Sequence, residues 1–189
     1  AGITTTAEEH LQLIKKYKPA IIFTTSRRIY RITQQLGKNH ALDKLGVKTL
    51  FVCTSGYLSP SRRWQLQNTW NCDIHTHYGM TELGLAVAVE CHAHNGYHFN
   101  EADLLLEVVD PETGETINDS RQGELVFTTL TREGVPLVRY RTHDIASLIT
   151  EPCPCGATTL LKFSEMTGRL EPIVKIGDGE QICPNLFDE

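Results

Sequence analysis

The chain has no apolar run near the ~20 residues that a membrane-spanning helix requires. It shows no basic start followed by an apolar core, so no secretory leader is legible. It also lacks positive charge in excess: the formal net charge is -5 at pH 7. Nucleic-acid backbones are held by clustered Lys and Arg. Here the pairs Lys15-Lys16, Arg27-Arg28 and Arg62-Arg63 are scattered, as on solvated helix faces. These absences argue against a nucleic-acid binder and a helical membrane protein, and make a cytoplasmic location the expectation. There is no internal repeat and no low-complexity segment. Six cysteines among 189 residues are too sparse for a disulfide-held secreted scaffold. Cys53, inside the apolar run Leu50-Phe51-Val52-Cys53, is expected to be a buried free thiol.

What is present is globular. Apolar residues make up 40% and charged residues 22%, enough for a proper core in one domain or a small two-part module. The chain starts on Ala1 rather than Met and stops just after a strand-like segment, as a fragment would. Over its first eighty or so residues helix and strand patterns alternate. Thr6 with Glu9 three residues on predicts a capping box. Residues 20–24, 49–53 and 72–76 read as buried strands, and helices are expected from Ser26 to Gly37 and from Ser59-Pro60 through Trp70. Trp64 and Trp70 are read as packing residues. Strands separated by helices imply a parallel sheet, whose ligands gather at the carboxyl ends of its strands. After about residue 85, short strand candidates at 85–90, 97–99, 104–109, 124–129 and 146–149 are divided by turn signals. The expected fold is α/β: a parallel βαβ-type sheet segment (1–84), then an antiparallel β part with a zinc site (85–168), then a hinge-proximal strand (169–189).

Two short segments carry chemistry. In Tyr78-Gly79-Met80-Thr81-Glu82, Tyr78 offers a face for a purine and Gly79 permits a tight turn. Thr81 offers a hydroxyl to a phosphate, and Glu82 a hard carboxylate suited to Mg²⁺. The competing reading is a loop whose Thr81-Glu82 merely starts a helix. In Arg139-Tyr140-Arg141-Thr142-His143-Asp144, Asp144 is an acceptor-only side chain able to take both ribose hydroxyls. Arg139 and Arg141, read as alternating strand positions, would share one face as fork donors for carboxylate or phosphate. His75 and His77 alternate near the end of the third strand, with His77 the better candidate for lining an acyl pocket; plain near-core packing is the alternative.

The cysteines form a second constellation. Cys153-Pro154-Cys155-Gly156 places two thiols on a tight turn, and Cys91 and His98 flank Asn95-Gly96. Three sulfurs and one imidazole make a closed tetrahedral Zn²⁺ site, structural rather than catalytic. His92 and His94 compete for the fourth position; His98 is preferred because it falls on a strand.

Taken in order, these segments resemble the phenylacetate–coenzyme A ligase branch of the adenylate-forming enzymes. The resemblance extends through Thr81-Glu82-Leu83-Gly84, Glu90-Cys91, Gly96-Tyr97-His98, Asp110-Pro111-Glu112-Thr113-Gly114, Gly123-Glu124-Leu125-Val126-Phe127-Thr128-Thr129, Pro136-Leu137-Val138-Arg139-Tyr140-Arg141-Thr142 and Thr167-Gly168-Arg169. It implies an ATP-dependent ligase that activates a carboxylic acid, expected to be aromatic, as acyl-adenylate and transfers it to coenzyme A. Ser55, Gly56 and Tyr57 would line the adenine pocket, Tyr78 would stack on the base, and Thr81 would touch the α-phosphate. Glu82 would hold Mg²⁺, Asp144 the ribose, and Arg169 would also reach the nucleotide. Glu171 falls at the hinge position. Members with a Cys-Pro-Cys-Gly segment would carry the zinc site. His143 stands where much of the wider superfamily has Gly, which should crowd the loop holding Asp144. The family's Gly-rich phosphate loop and its lid domain with a catalytic lysine have no counterpart; Lys175 is not assigned that role. The chain alone is therefore expected to be nearly inactive, and exposed apolar surface would favour self-association as a homodimer. Two other functions remain open: a non-catalytic zinc-stabilised nucleotide-binding module, and an adenylating relative that transfers AMP to a non-thiol acceptor.

Overall fold

Thr6 starts the first helix as its sequence demands. Its hydroxyl accepts from the Glu9 N–H at 3.2 Å, while the Glu9 carboxylate accepts from the Thr6 N–H at 2.7 Å. The structure, a computed structural model, describes residues 5–53, 58–170, 174–176 and 180–182. The chain divides into two compact units, residues 1–78 and 79–189.

The first unit runs α1 (Ala7–Tyr17), β1 (Ile21–Thr25), α2 (Ser26–Leu36), β2 (Thr49–Cys53), α3 (Pro60–Trp70) and β3 (Asp73–Met80, which carries the chain into the second unit). Thr25 caps α2, and Ser59 caps α3 with Pro60 in the first turn, where a missing N–H costs nothing. Strands β1, β2 and β3 are parallel, with Phe23, Phe51 and His75 in register. The alternate positions Leu50, Val52 and Ile74 are fully buried and form one core with Leu11, Ile29, Ile32, Leu66 and Trp70 of the helices. Trp70 is satisfied there: its indole N–H donates to Thr33 Oγ1 at 2.8 Å, and Thr33 donates to the Ile29 carbonyl at 2.8 Å.

Two expectations fail here. Trp64 is 68% exposed rather than packed. Six residues turn a helix by about 240°, so Trp64 and Trp70 cannot share a face. Cys53 is free but only half-buried. It alternates with Val52 and so lies on the other face of the sheet, with Phe23 (61% exposed) and Phe51, whose rings stack at 5.0 Å.

The second unit contains β4 (Gly84–Glu90), β5 (Tyr97–Phe99), β6 (Leu104–Val109), β7 (Gln122–Thr129), β8 (Tyr140–Ile149), β9 (Lys162–Phe163) and β10 (Gly168–Arg169). A further hairpin joins β11 (Val174–Ile176) and β12 (Glu180–Ile182). Among the described residues these strands pair antiparallel, in the order β4-β5-β9-β8-β7-β6 with β10 on β8. Tyr97, Phe99, Phe127 and Phe163 form its aromatic centre, with Tyr97 and Phe163 rings 5.5 Å apart and Phe127 and Phe163 at 6.3 Å. The fold is thus mixed α/β with a mostly antiparallel sheet. Strand β8 begins at residue 140, six residues before the expected start at 146. Arg139 precedes it with φ 48°, so Arg139 and Arg141 are not alternating strand positions. Among the described residues no helix is long and apolar enough to cross a membrane.

Candidate functional site

The first motif does not end in a helix. β3 runs through Met80, and residues 81–83 form a turn closed by Leu83 N–H donating to the Met80 carbonyl at 3.2 Å. Thr81 and Glu82 are exposed on that turn. Arg132 fixes it from the loop after β7: its guanidinium donates to the carbonyls of Glu82 and Leu83, the latter at 2.6 Å. Gly79 is required for a different reason than a positive φ. A Cβ there would sit 2.7 Å from both Ala86 N and Gly84 O, which are backbone atoms and cannot swing aside. Gly79→Ala is expected to lower stability by about 2–3 kcal/mol through this overpacking, measured by urea unfolding.

The second motif lies on a bulge. Glu124 pairs with Ile145 and Val126 with Arg141, so two steps along β7 face four along β8. The extra residues sit among Thr142, His143 and Asp144, and the side chains around them satisfy their backbone. Thr142 Oγ1 donates to the Leu125 carbonyl at 2.8 Å and lies 3.1 Å from the Asp144 N–H, which it accepts. His143 N–H donates to Glu124 Oε1 at 2.9 Å. Bulges re-aim side chains beside functional sites, and here the re-aimed residue is Asp144. It is 7% exposed, and its Oδ1 accepts from Arg169 Nε at 2.5 Å. The two residues are cross-strand partners on β8 and β10. Two residues predicted to hold nucleotide thus form one ion pair.

His143 has φ 64°, in the left-handed region. That is a physical reason for glycine at this position, and the imidazole here is anchored by Glu124, 3.3 Å from Nδ1. A non-glycine residue in this region costs about 1–2 kcal/mol. His143→Gly is therefore expected to fall within about 1 kcal/mol of the parent, backbone relief offsetting the lost anchor, whereas β-branched His143→Val should lose about 2 kcal/mol. Denaturant midpoints of the two variants check this.

Three residues here escaped the sequence reading. Glu124 is wholly buried and is the acceptor for Arg141 Nε at 2.7 Å as well as for His143. A charge inside the apolar run Leu125-Val126-Phe127 and its flanks was the available signal. Arg132 had none, being one polar residue in a polar loop. Lys162 stands on a two-residue strand, too short for any periodicity. Arg139 and Arg141 engage the protein's own carboxylates, Arg139 with Glu107 at 3.0 Å and Arg141 with Glu124.

The remaining nucleotide candidates divide between the units. Tyr78 closes the first and is 4% exposed; Thr81, Glu82, Asp144 and Arg169 belong to the second. His77 is 1% exposed, and burial pushes its imidazole below the usual range, favouring the neutral form. Ser55, Gly56, Tyr57 and Glu171 lie outside the described residues, as does Cys183.

The metal candidates come together. Ligand atoms of Cys91, His98, Cys153 and Cys155 all lie within 4.8 Å of one another. Cys91 Sγ is 3.6 Å from Cys153 Sγ, and Cys155 Sγ is 3.6 Å from His98 Nε2. Ideal tetrahedral zinc with the usual bond lengths separates two sulfurs by about 3.8 Å and sulfur from nitrogen by about 3.6 Å. The donor set and its spacing therefore fit Zn²⁺. Gly156, at φ 90°, closes the knuckle, and its N–H donates to the Cys153 carbonyl at 3.2 Å. The Cys155 N–H, then His98 and the neighbouring sulfurs, hold the Cys153 thiol down to about 6, so it ionises readily as a ligand. His94 instead pairs with Glu90 at 3.0 Å.

Residues 2–130 match the model of the AMP-binding enzyme family. The chain belongs to that family. Within it, the chain is 30% identical over 96% of its length to a phenylacetate-coenzyme A ligase of Aromatoleum evansii, and 31% identical over 89% to that of Thermus thermophilus. It spans 41% and 38% of those relatives. Its fold superposes on 2-hydroxyisobutyryl-CoA ligase with TM-score 0.81 at 21% identity, covering 100% of this chain and 40% of that one. An anthranilate CoA ligase gives TM-score 0.70 at 18% identity, covering 97% and 36%.

Proposed function

We propose that this chain is the nucleotide-holding part of an ATP-dependent acid–coenzyme A ligase. The acid joins AMP with loss of pyrophosphate, and the acyl group then passes to the thiol of coenzyme A. The reading rests on the Asp144–Arg169 pair, set on a bulge within the segment that resembles the family's ribose-binding motif. Asp144 accepts the ribose hydroxyls, and Arg169, 46% exposed, reaches the nucleotide while Nε stays on Asp144. Tyr78 stacks on the base once its ring is uncovered, and Thr81 donates to the α-phosphate. Bringing a carboxylate to a phosphate opposes two negative groups, so positioning and cationic charge supply most of the catalysis. The exposed Glu82 carboxylate suits Mg²⁺, which keeps several waters and, when bound, offsets phosphate charge. Cys91, His98, Cys153 and Cys155 hold Zn²⁺ with no position left open, so the metal ties the antiparallel unit together and takes no part in the reaction.

The named activity of the two curated relatives supports an aromatic acid. Calorimetric titration with hydrolysis-resistant acyl-sulfamoyl adenosines tests the reading. A phenylacetyl analogue is expected to bind at least about tenfold tighter than AMP, because it adds a buried aromatic ring. Affinity no better than that of adenosine would remove the proposal.

A further inference from the structure

Lys162 is not among the residues assigned to the nucleotide, yet it is an unusual side chain among the described residues of the antiparallel unit. It is 1% exposed, and its Nζ has no hydrogen-bond partner among the described residues. An ammonium without counter-charge is among the costliest groups to bury. The strand register says what it faces. Lys162 is the Cα partner of His98 on β5 and of Ile149 on β8, and neither is an acid. Directly paired residues project to the same face with Cβ atoms about 5 Å apart. The next residue, Phe163, points the other way, into the rings of Tyr97, Phe99 and Phe127. Lys162 therefore shares the face of His98, whose Nε2 meets Cys155 in the Cys91/His98/Cys153/Cys155 cluster.

The charge balance of that cluster is simple. One divalent cation with three thiolates and a neutral imidazole carries a net charge of about −1. Buried on its own, that complex is as poorly placed as a lone ammonium. Opposite a single Lys it becomes a neutral pair.

We propose that Lys162 is the counter-cation of a Cys₃His zinc centre, a positioning residue that balances the centre's negative charge from the neighbouring strand. This rests on the zinc reading above. It explains why a lysine occupies a sealed place on a two-residue strand, and it predicts effects of opposite sign with and without the metal.

The test uses Lys162→Met, close in volume but neutral, and Lys162→Arg, which keeps the charge. Zinc per chain is measured by elemental analysis, zinc affinity by competition with a chromogenic chelator, and melting on zinc-loaded and zinc-stripped protein. The expected result is one zinc per parent chain and a dissociation constant at least about tenfold weaker in Lys162→Met, the usual size of a neighbour effect on a metal ligand set. Lys162→Arg should stay within about threefold of the parent, since the charge is retained. Zinc-stripped Lys162→Met should melt no lower than the zinc-stripped parent, because it has lost an unpaired buried charge, while zinc-loaded Lys162→Met melts lower than the zinc-loaded parent. Should Lys162→Met fail to fold, Lys162→Gln reads the same affinity ratio. Full zinc in the parent with Met and Gln variants within about twofold of its affinity overturns the role of Lys162 and leaves the zinc site standing. A parent without zinc overturns both.

Discussion

Cys153→Ser is expected to abolish zinc binding at the proposed centre and to lower the melting temperature by about 10 °C. Cys153 is 4% exposed and lies on the segment leaving β8, while Cys91 lies on the segment leaving β4. Zinc held at the proposed site would join parts of the chain 62 residues apart. Binding energy at a structural zinc is folding energy, about 10–16 kcal/mol in small peptides. A serine hydroxyl is a poor ligand, and loss of one of four donors should remove about 3–5 kcal/mol of that stabilisation. At about 2–4 °C per kcal/mol for a chain of this size, the shift follows. Calorimetry and metal analysis on the same sample check it. Chelator treatment of the parent should reproduce the low melting point, and Cys153→Ser should show no further response to chelator. Unchanged melting with full zinc would remove Cys153 from the ligand set.

Glu124→Ala should cost about 3–5 kcal/mol, the range for removing one member of a buried charged network. Glu124 is wholly buried and accepts from Arg141 and from the His143 backbone, with His143 Nδ1 3.3 Å from its Oε1. Its loss strands the bulge that carries Asp144. Glu124→Gln keeps the shape and one acceptor oxygen, so it should lose less, about 1–3 kcal/mol. Urea unfolding with an unchanged slope would assign the effect to the folded state rather than to the unfolded chain. Both variants should also weaken AMP binding, Ala more than Gln. A Glu124→Ala protein as stable as the parent would mean that Thr142 alone holds the bulge.

The parts of this fold written in local chemistry were legible in the sequence. The Thr6–Glu9 box, the Ser59-Pro60 helix start and the apolar strands at 49–53 and 104–109 form as their residues dictate. The convergence of Cys91, His98, Cys153 and Cys155 was legible too, since a Cys-Pro-Cys-Gly turn restricts its own geometry. What escaped was set by pairing at a distance. β9 and β10 are two residues each and exist because β5 and β8 offer them partners. β8 begins at Tyr140, inside a segment whose charges hide a strand: Arg141 is drawn in by Glu124 on β7, not by burial. The bulge at 142–144 could not be read from alternation, because it is the place where alternation fails. Trp64 was misjudged because apolar character was read without helical angle.

The central claim is that Tyr78 and Asp144 serve one purine nucleotide. Titration of AMP into the parent, Tyr78→Ala and Asp144→Ala tests it most directly. One AMP per chain is expected for the parent. Asp144→Ala should bind at least about 100-fold more weakly, because it loses two hydrogen bonds to a charged group. Tyr78→Ala should bind about tenfold more weakly, for one lost stacking contact. Equal AMP affinity in all three proteins would contradict the account.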